Sequence, residues 1–125
     1  DLLVGIISAA DEIRDGDVIV TKANCGIPEY VDGAIQYSGT PELMADYACL
    51  ARDLGVRIIG GCCGTQPGHV AAMREALETR APGPRPSVED VIARLGAVTG
   101  STMDLLSDAP AAAPKRGGGR RRRAG

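Results

Sequence analysis

Two β-branched runs, Asp17-Val18-Ile19-Val20-Thr21-Lys22-Ala23 and Val56-Arg57-Ile58-Ile59, each lie between stretches with the apolar spacing of an amphipathic helix. This alternation constrains the chain more than any other feature, because strands separated by helices pair in parallel and need cover on both faces. Before the first run, Leu2, Leu3, Ile6, Ile7, Ala10 and Ile13 form a helical stripe across Asp1 to Arg14, with Gly16 placed to stop it. Between the runs, Thr40-Pro41-Glu42 supplies a cap, a first-turn proline and an early acid, predicting a helix from there to Leu54. After the second run a helix is predicted from Gln66 or Pro67 to Leu77, apolar at Val70, Met73 and Leu77. Ser87-Val88-Glu89-Asp90 resembles a capping box opening a short helix that reaches Leu95 and is closed by Gly96. The stretch Asn24 to Thr40, with Gly26, Pro28, Gly33 and Gly39 among Tyr30, Gln36 and Tyr37, reads as a long functional loop.

The fold class is therefore α/β with a parallel sheet, yet two strands leave open edges and bare faces. The missing strands are expected upstream of Asp1 or from a partner, and a chain entering a helical pattern at Asp1 without Met reads as a piece of a longer protein. Residues 1–78 form the folded part, 79–96 a Pro-rich linker and short helix, and 97–125 a disordered tail. From Ala109 onward no apolar side chain is larger than Ala or Pro, too little to offset the entropy of ordering. The core is thin, because the sequence has no Trp and no Phe.

The formal net charge of −2 conceals a division. Of 14 basic residues, Lys115, Arg116 and Arg120 to Arg123 lie in the tail, so the rest is strongly acidic against 16 Asp and Glu. An acidic body argues against a nucleic-acid-binding domain. With no long apolar run and no basic-then-apolar leader, the expected location is the cytoplasm and no membrane partner is expected. Four cysteines, two of them adjacent, then point to metal or catalysis before disulfides.

Chemistry concentrates at Gly60-Gly61-Cys62-Cys63-Gly64-Thr65, directly after the second strand, where α/β folds build their sites. Adjacent side chains on a strand point to opposite faces, so the two thiols converge only if the glycines let the backbone leave the extended form. Thiolates suit zinc, and a catalytic zinc commonly keeps three protein ligands and one open position. The bland alternative is a pair of buried small side chains. Cys25 is either a third ligand or a small packing residue, and Cys49, inside a helical stripe, is packing. His69 falls early in the third helix, with a surface or supporting role, and the helix N-terminus at Thr65 and Gln66 either receives an anion or is merely capped.

Gly-Gly-Cys-Cys-Gly-Thr followed by Gln66-Pro67-Gly68-His69 resembles the signature of the homocysteine S-methyltransferase family, which includes betaine-type enzymes and the homocysteine half of methionine synthase. Lys22-Ala23-Asn24-Cys25-Gly26-Ile27-Pro28 resembles that family's Pro-Asn-Ala-Gly-Leu-Pro loop, and the likeness spans Asp1 to Leu77. The resemblance implies the last two βα units of a (β/α)8 barrel, with strands Val18 to Ala23 and Val56 to Ile59. It implies zinc held by Cys62 and Cys63, which are also the catalytic residues, substrate contacts from Asn24 and Thr65, and methyl transfer to homocysteine giving methionine.

The family's first zinc cysteine, in a Gly-x-Asn-Cys motif, is missing here, as are its homocysteine-binding acids. The methyl donor is not legible, with betaine or a similar small donor first in line. A non-catalytic zinc or thiol module, an inactive fragment and a piece acting through its arginine tail are the competing readings. The oligomeric state stays open, a homo-oligomer of the intact protein included.

Overall fold

The computed structural model describes residues 1–98 and Thr102. Apart from Ala97, Val98 and Thr102, the expected tail over residues 97–125 lies outside the described residues. The elements run α1 (Leu2–Ser8), a 3-10 turn (Ala10–Glu12), β1 (Val20–Ala23), β2 (Pro28–Val31), β3 (Ala34–Tyr37), α2 (Pro41–Asp53), β4 (Ile58–Gly61), α3 (Pro67–Thr79) and α4 (Val88–Leu95). β1 pairs in parallel with β4, and β2 with β3 antiparallel, giving a mixed α/β chain.

Local chemistry accounts for most boundaries. Thr40 Oγ1 accepts from Leu43 N at 3.1 Å to start α2 beside a first-turn proline, and Ser87 Oγ accepts from Asp90 N at 3.3 Å to start α4. α1 stops at Ser8 instead of continuing to Arg14: Asp11 and Glu12 would put negative charge on the negative end of a longer helix, and a 3-10 turn takes their place. β4 begins two residues later than the β-branched run and extends through Gly61. Val56 belongs to the exit of α2, where its N–H donates to Ala51 O at 3.0 Å and its side chain is buried.

The Asn24 to Thr40 stretch is not a plain loop but carries a β-hairpin. Asp32 (φ 49°) and Gly33 (φ 81°) form a two-residue turn with positive φ at both central positions, which matches the twist of the flanking strands.

Along β1 and β4 the side chains alternate, with Val20 opposite Ile58 and Thr21 opposite Ile59. One face meets α2, where the buried Tyr47 hydroxyl donates to Thr21 Oγ1 at 2.7 Å. The core beneath it joins Met44, Ala48, Leu50, Ala51 and Leu54 of α2 and its exit to Leu3, Val4, Met73 and Val91, each large side chain contributing about 1.5–3 kcal/mol on burial. The segment after α3 folds back on this body: Arg52 donates to Arg80 O at 2.8 Å and Ala81 O at 3.1 Å, and Arg85 donates to Leu54 O at 3.3 Å. The opposite face of the sheet is bare, leaving Val20 51% and Ile58 56% exposed, and Val18, just before β1, is also exposed.

The vicinal thiol site

β1 and β4 finish in register, Ala23 opposite Gly61, so the segments after them run on side by side. Two further backbone bonds extend the pairing past the strands: Cys62 N–H donates to Ala23 O at 2.8 Å, and Cys25 N–H donates to Cys63 O at 2.9 Å. The chain then turns, Thr65 N–H reaching Cys62 O at 3.1 Å with Gly64 at φ 77° in the third position. Here the backbone leaves the extended form, and the Cys62 and Cys63 sulfurs lie 3.9 Å apart, both residues exposed to solvent. Neither is the buried small side chain of the bland alternative.

Gly64 is required for a second reason. A Cβ there would overlap the ring of Tyr37, at the end of β3, so the hairpin lays an aromatic side chain on the thiol turn. Burial raises the Tyr37 phenol above its ordinary range first; a hydrogen bond to Cys63 and the charges of Cys63 and Cys62 raise it further. Gly61 likewise gives its space to the Thr65 side chain, whose Oγ1 is buried with no hydrogen-bond partner. Asn24 is exposed at the end of β1, its carbonyl accepting from Gly26 N–H at 2.9 Å.

Cys25 is enclosed, 1% exposed, and its thiol donates to Gly39 O at 3.2 Å. Burial raises its pKa, which favours the thiol over the thiolate a metal needs. Among the described residues no group of three or more His, Cys, Asp or Glu is arranged to hold a metal, and Cys25 is packed against Gly39. Cys49 is buried between α2 and α3 beside Ala45 and Ala76.

His69 is half-buried rather than on the surface. Its Nδ1 accepts from Gln66 N–H at 3.0 Å, which caps α3, and its Nε2 lies 3.1 Å from Gly39 O. The helix N-terminus is thus capped from within. Neither Tyr37 nor Gly39 was singled out by sequence spacing. The available signal was Asp32-Gly33 between alternating residues, which marks a hairpin and brings its far end, Tyr37 to Gly39, back to the start.

A groove of about 320 Å³ between β4 and α3, lined by Ile59, Gly60, Val70, Met73 and Leu77 with Arg74 and Glu78, runs beside the strand and does not include the thiols. No helix among the described residues is long and apolar enough to cross a membrane.

The fold and the site define an α/β chain that presents two adjacent thiols at the C-terminal ends of parallel strands. A sequence model described as Homocysteine S-methyltransferase matches residues 3–77, and the chain belongs to that family. It is 45% identical over 51 residues to S-methylmethionine–homocysteine S-methyltransferase BHMT2 of Rattus norvegicus, a match covering 41% of this chain and 14% of that protein. It is 61% identical over 31 residues to betaine–homocysteine S-methyltransferase 1 of Xenopus laevis, covering 25% of this chain and 8% of that protein. The matched stretch is thus a small fraction of the length of these curated relatives.

Proposed function

We propose that this chain is the part of a homocysteine S-methyltransferase in which Cys62 and Cys63 hold a zinc ion at the methyl-accepting site. The observation that carries the reading is the sulfur separation. Two thiolates on one tetrahedral zinc, each at about 2.3 Å, stand about 3.8 Å apart, and the Cys62 and Cys63 sulfurs are 3.9 Å apart. With no third ligand among the described residues, the set is completed from another part of the whole protein. A zinc ion held there supplies the Lewis acidity that keeps a substrate thiol as its thiolate at neutral pH.

The chain's own residues do the rest of the local work. Cys62 and Cys63 give two thiolate donors, Tyr37 covers the turn that carries them, and Asn24 is the exposed polar group beside it that a substrate can meet, while the unpartnered Thr65 hydroxyl lies buried against Gly61. The substrate is homocysteine and the product methionine. The donor is a small methylated molecule of the betaine or S-methylmethionine kind, after the names of the relatives.

The bare sheet face of Val20 and Ile58 and the groove along β4 support a larger closed sheet, a (β/α)8 barrel in which this chain forms the last two βα units. Two exposed, unbridged thiols suit a reducing compartment, and we place the protein in the cytoplasm. The non-catalytic zinc module is disfavoured, because Cys25, which would complete it, is turned to Gly39 O.

Metal analysis and a methionine-formation assay on the intact protein test this function. Cys62→Ser or Cys63→Ser is expected to remove stoichiometric zinc and methyl transfer, and Cys49→Ala to leave both in place. Full zinc occupancy in both serine variants overturns the assignment.

A further inference from the structure

We propose that His69 is a positioning residue for the Cys62–Cys63 pair, acting through the carbonyl of Gly39. The inference rests on the zinc reading only for its metal readout; the geometry stands apart from it. Contacts around the thiols form a closed ring. Cys63 O accepts from Cys25 N–H at 2.9 Å. Cys25 is locked to Gly39 twice, its carbonyl accepting from Gly39 N–H at 2.9 Å and its thiol donating to Gly39 O at 3.2 Å. Gly39 O meets His69 Nε2 at 3.1 Å, and His69 Nδ1 accepts from Gln66 N–H at 3.0 Å. From Gln66 the chain returns through Thr65 and Gly64 to Cys63.

Every link in the ring but one is backbone or a buried small residue held by its surroundings. A Cβ on Gly39 would fall 2.5 Å from Cys25 C and 2.7 Å from its Sγ, so the two strands of this junction cannot shift independently. The exception is the imidazole, a long side chain that spans the gap between the end of the hairpin and the first turn of α3. Its two contacts fix the tautomer. Nδ1 accepts from an N–H and so carries no proton, leaving the proton on Nε2 to donate to Gly39 O.

Removing that donor opens the ring on the side away from the strands. The Cys63-Gly64-Thr65 turn is then held only from the side of β1 and Cys25, and its far side, where the chain enters α3, loses its tie to the end of the hairpin. The two sulfurs lose a fixed separation while each remains exposed. Chelation, which needs both at once, suffers; reaction at either sulfur singly does not.

The two roles of the imidazole separate cleanly in substitutions of the intact protein. His69→Gln puts an amide nitrogen near the Nε2 position and keeps the donor to Gly39 O, but loses the acceptor for Gln66 N–H. His69→Asn keeps that acceptor and cannot reach Gly39. Two probes are read: the dissociation constant for zinc, by competition with a chromophoric chelator, and the rate at which phenylarsine oxide bridges the pair, its oxide leaving as water with the two thiol protons. Iodoacetamide, which modifies one thiol at a time, is the control.

The expectation is that His69→Asn and His69→Ala weaken zinc binding about tenfold, as supporting partners of metal ligands do, and slow arsenical bridging, with iodoacetamide rates not reduced. His69→Gln stays near the parent in both. Rescue by Asn and not by Gln makes His69 a helix cap only and overturns the proposal, as does an unchanged pair in both variants. A parent that binds no zinc ends the zinc reading, and the arsenical comparison still decides the role of His69.

Discussion

At the scale of single residues the site is set by what lies on the thiol turn. Tyr37 is kept neutral by burial and by the neighbouring sulfurs, so the raised phenol contributes stability that is whole below the ordinary tyrosine value of about 10 and is lost as pH rises through the raised one. Tyr47 adds to the same alkaline loss, burial being its leading cause. Spectrophotometric titration, taken as the difference between the parent and Tyr37→Phe, should place Tyr37 ionisation above that of a free tyrosine. Cys63→Ser should move it part of the way back, since burial is the larger cause. A titration unmoved by Cys63→Ser would show that phenol and sulfur do not interact.

At the scale of elements, turns and caps carry the argument. Gly64 combines φ 77° with a Cβ site occupied by Tyr37, so Gly64→Ala must displace the hairpin or the turn, and a loss of about 1–3 kcal/mol is expected. Equilibrium denaturation measures it, and a loss within about 0.5 kcal/mol, the range of surface changes, would mean that Tyr37 moves aside freely.

The α4 cap is reciprocal: Asp90 Oδ2 accepts from Ser87 N–H at 2.9 Å while Ser87 Oγ accepts from Asp90 N–H at 3.3 Å. The Ser87 backbone N–H first and its hydroxyl second hold the Asp90 carboxyl below its ordinary value. Its stabilising effect is therefore complete above about pH 3.9 and fades as pH falls through the lowered value. Ser87→Ala should cost about 1 kcal/mol at neutral pH and less in acid, as followed by thermal unfolding at several pH values.

At the scale of the whole molecule the bare sheet face is the telling feature. Val20, 51% exposed here, is expected to lie under further strands in the intact protein. Val20→Thr should then cost about 1–3 kcal/mol in the intact protein, where the added hydroxyl is buried, and within about 0.5 kcal/mol in this chain alone, where it is a surface change. Denaturant titration of both decides it. Equal, small effects in the two settings would remove the closed barrel.

The sequence by itself determined the α/β alternation, three of the helix starts and the thiol pair, because caps, first-turn prolines and apolar spacing are local signals. Thr40-Pro41 and Ser87 to Asp90 act within one turn of the chain, and the Gly-Gly-Cys-Cys-Gly run needs only its own backbone freedom to turn. The hairpin is legible too, in Asp32-Gly33, although Gly26, Gly33 and Gly39 give the same stretch the composition of a loop.

Other features were settled only by contacts distant in sequence. The Cys25 and Cys62 thiols have opposite surroundings, because one sulfur meets Gly39 O, 14 positions away, and the other residue is exposed to solvent. His69 differs from an ordinary capping residue only through a carbonyl 30 positions upstream. Burial and hydrogen-bond partners of this kind depend on which strands end in register, and that is a property of the packed sheet rather than of any segment in it.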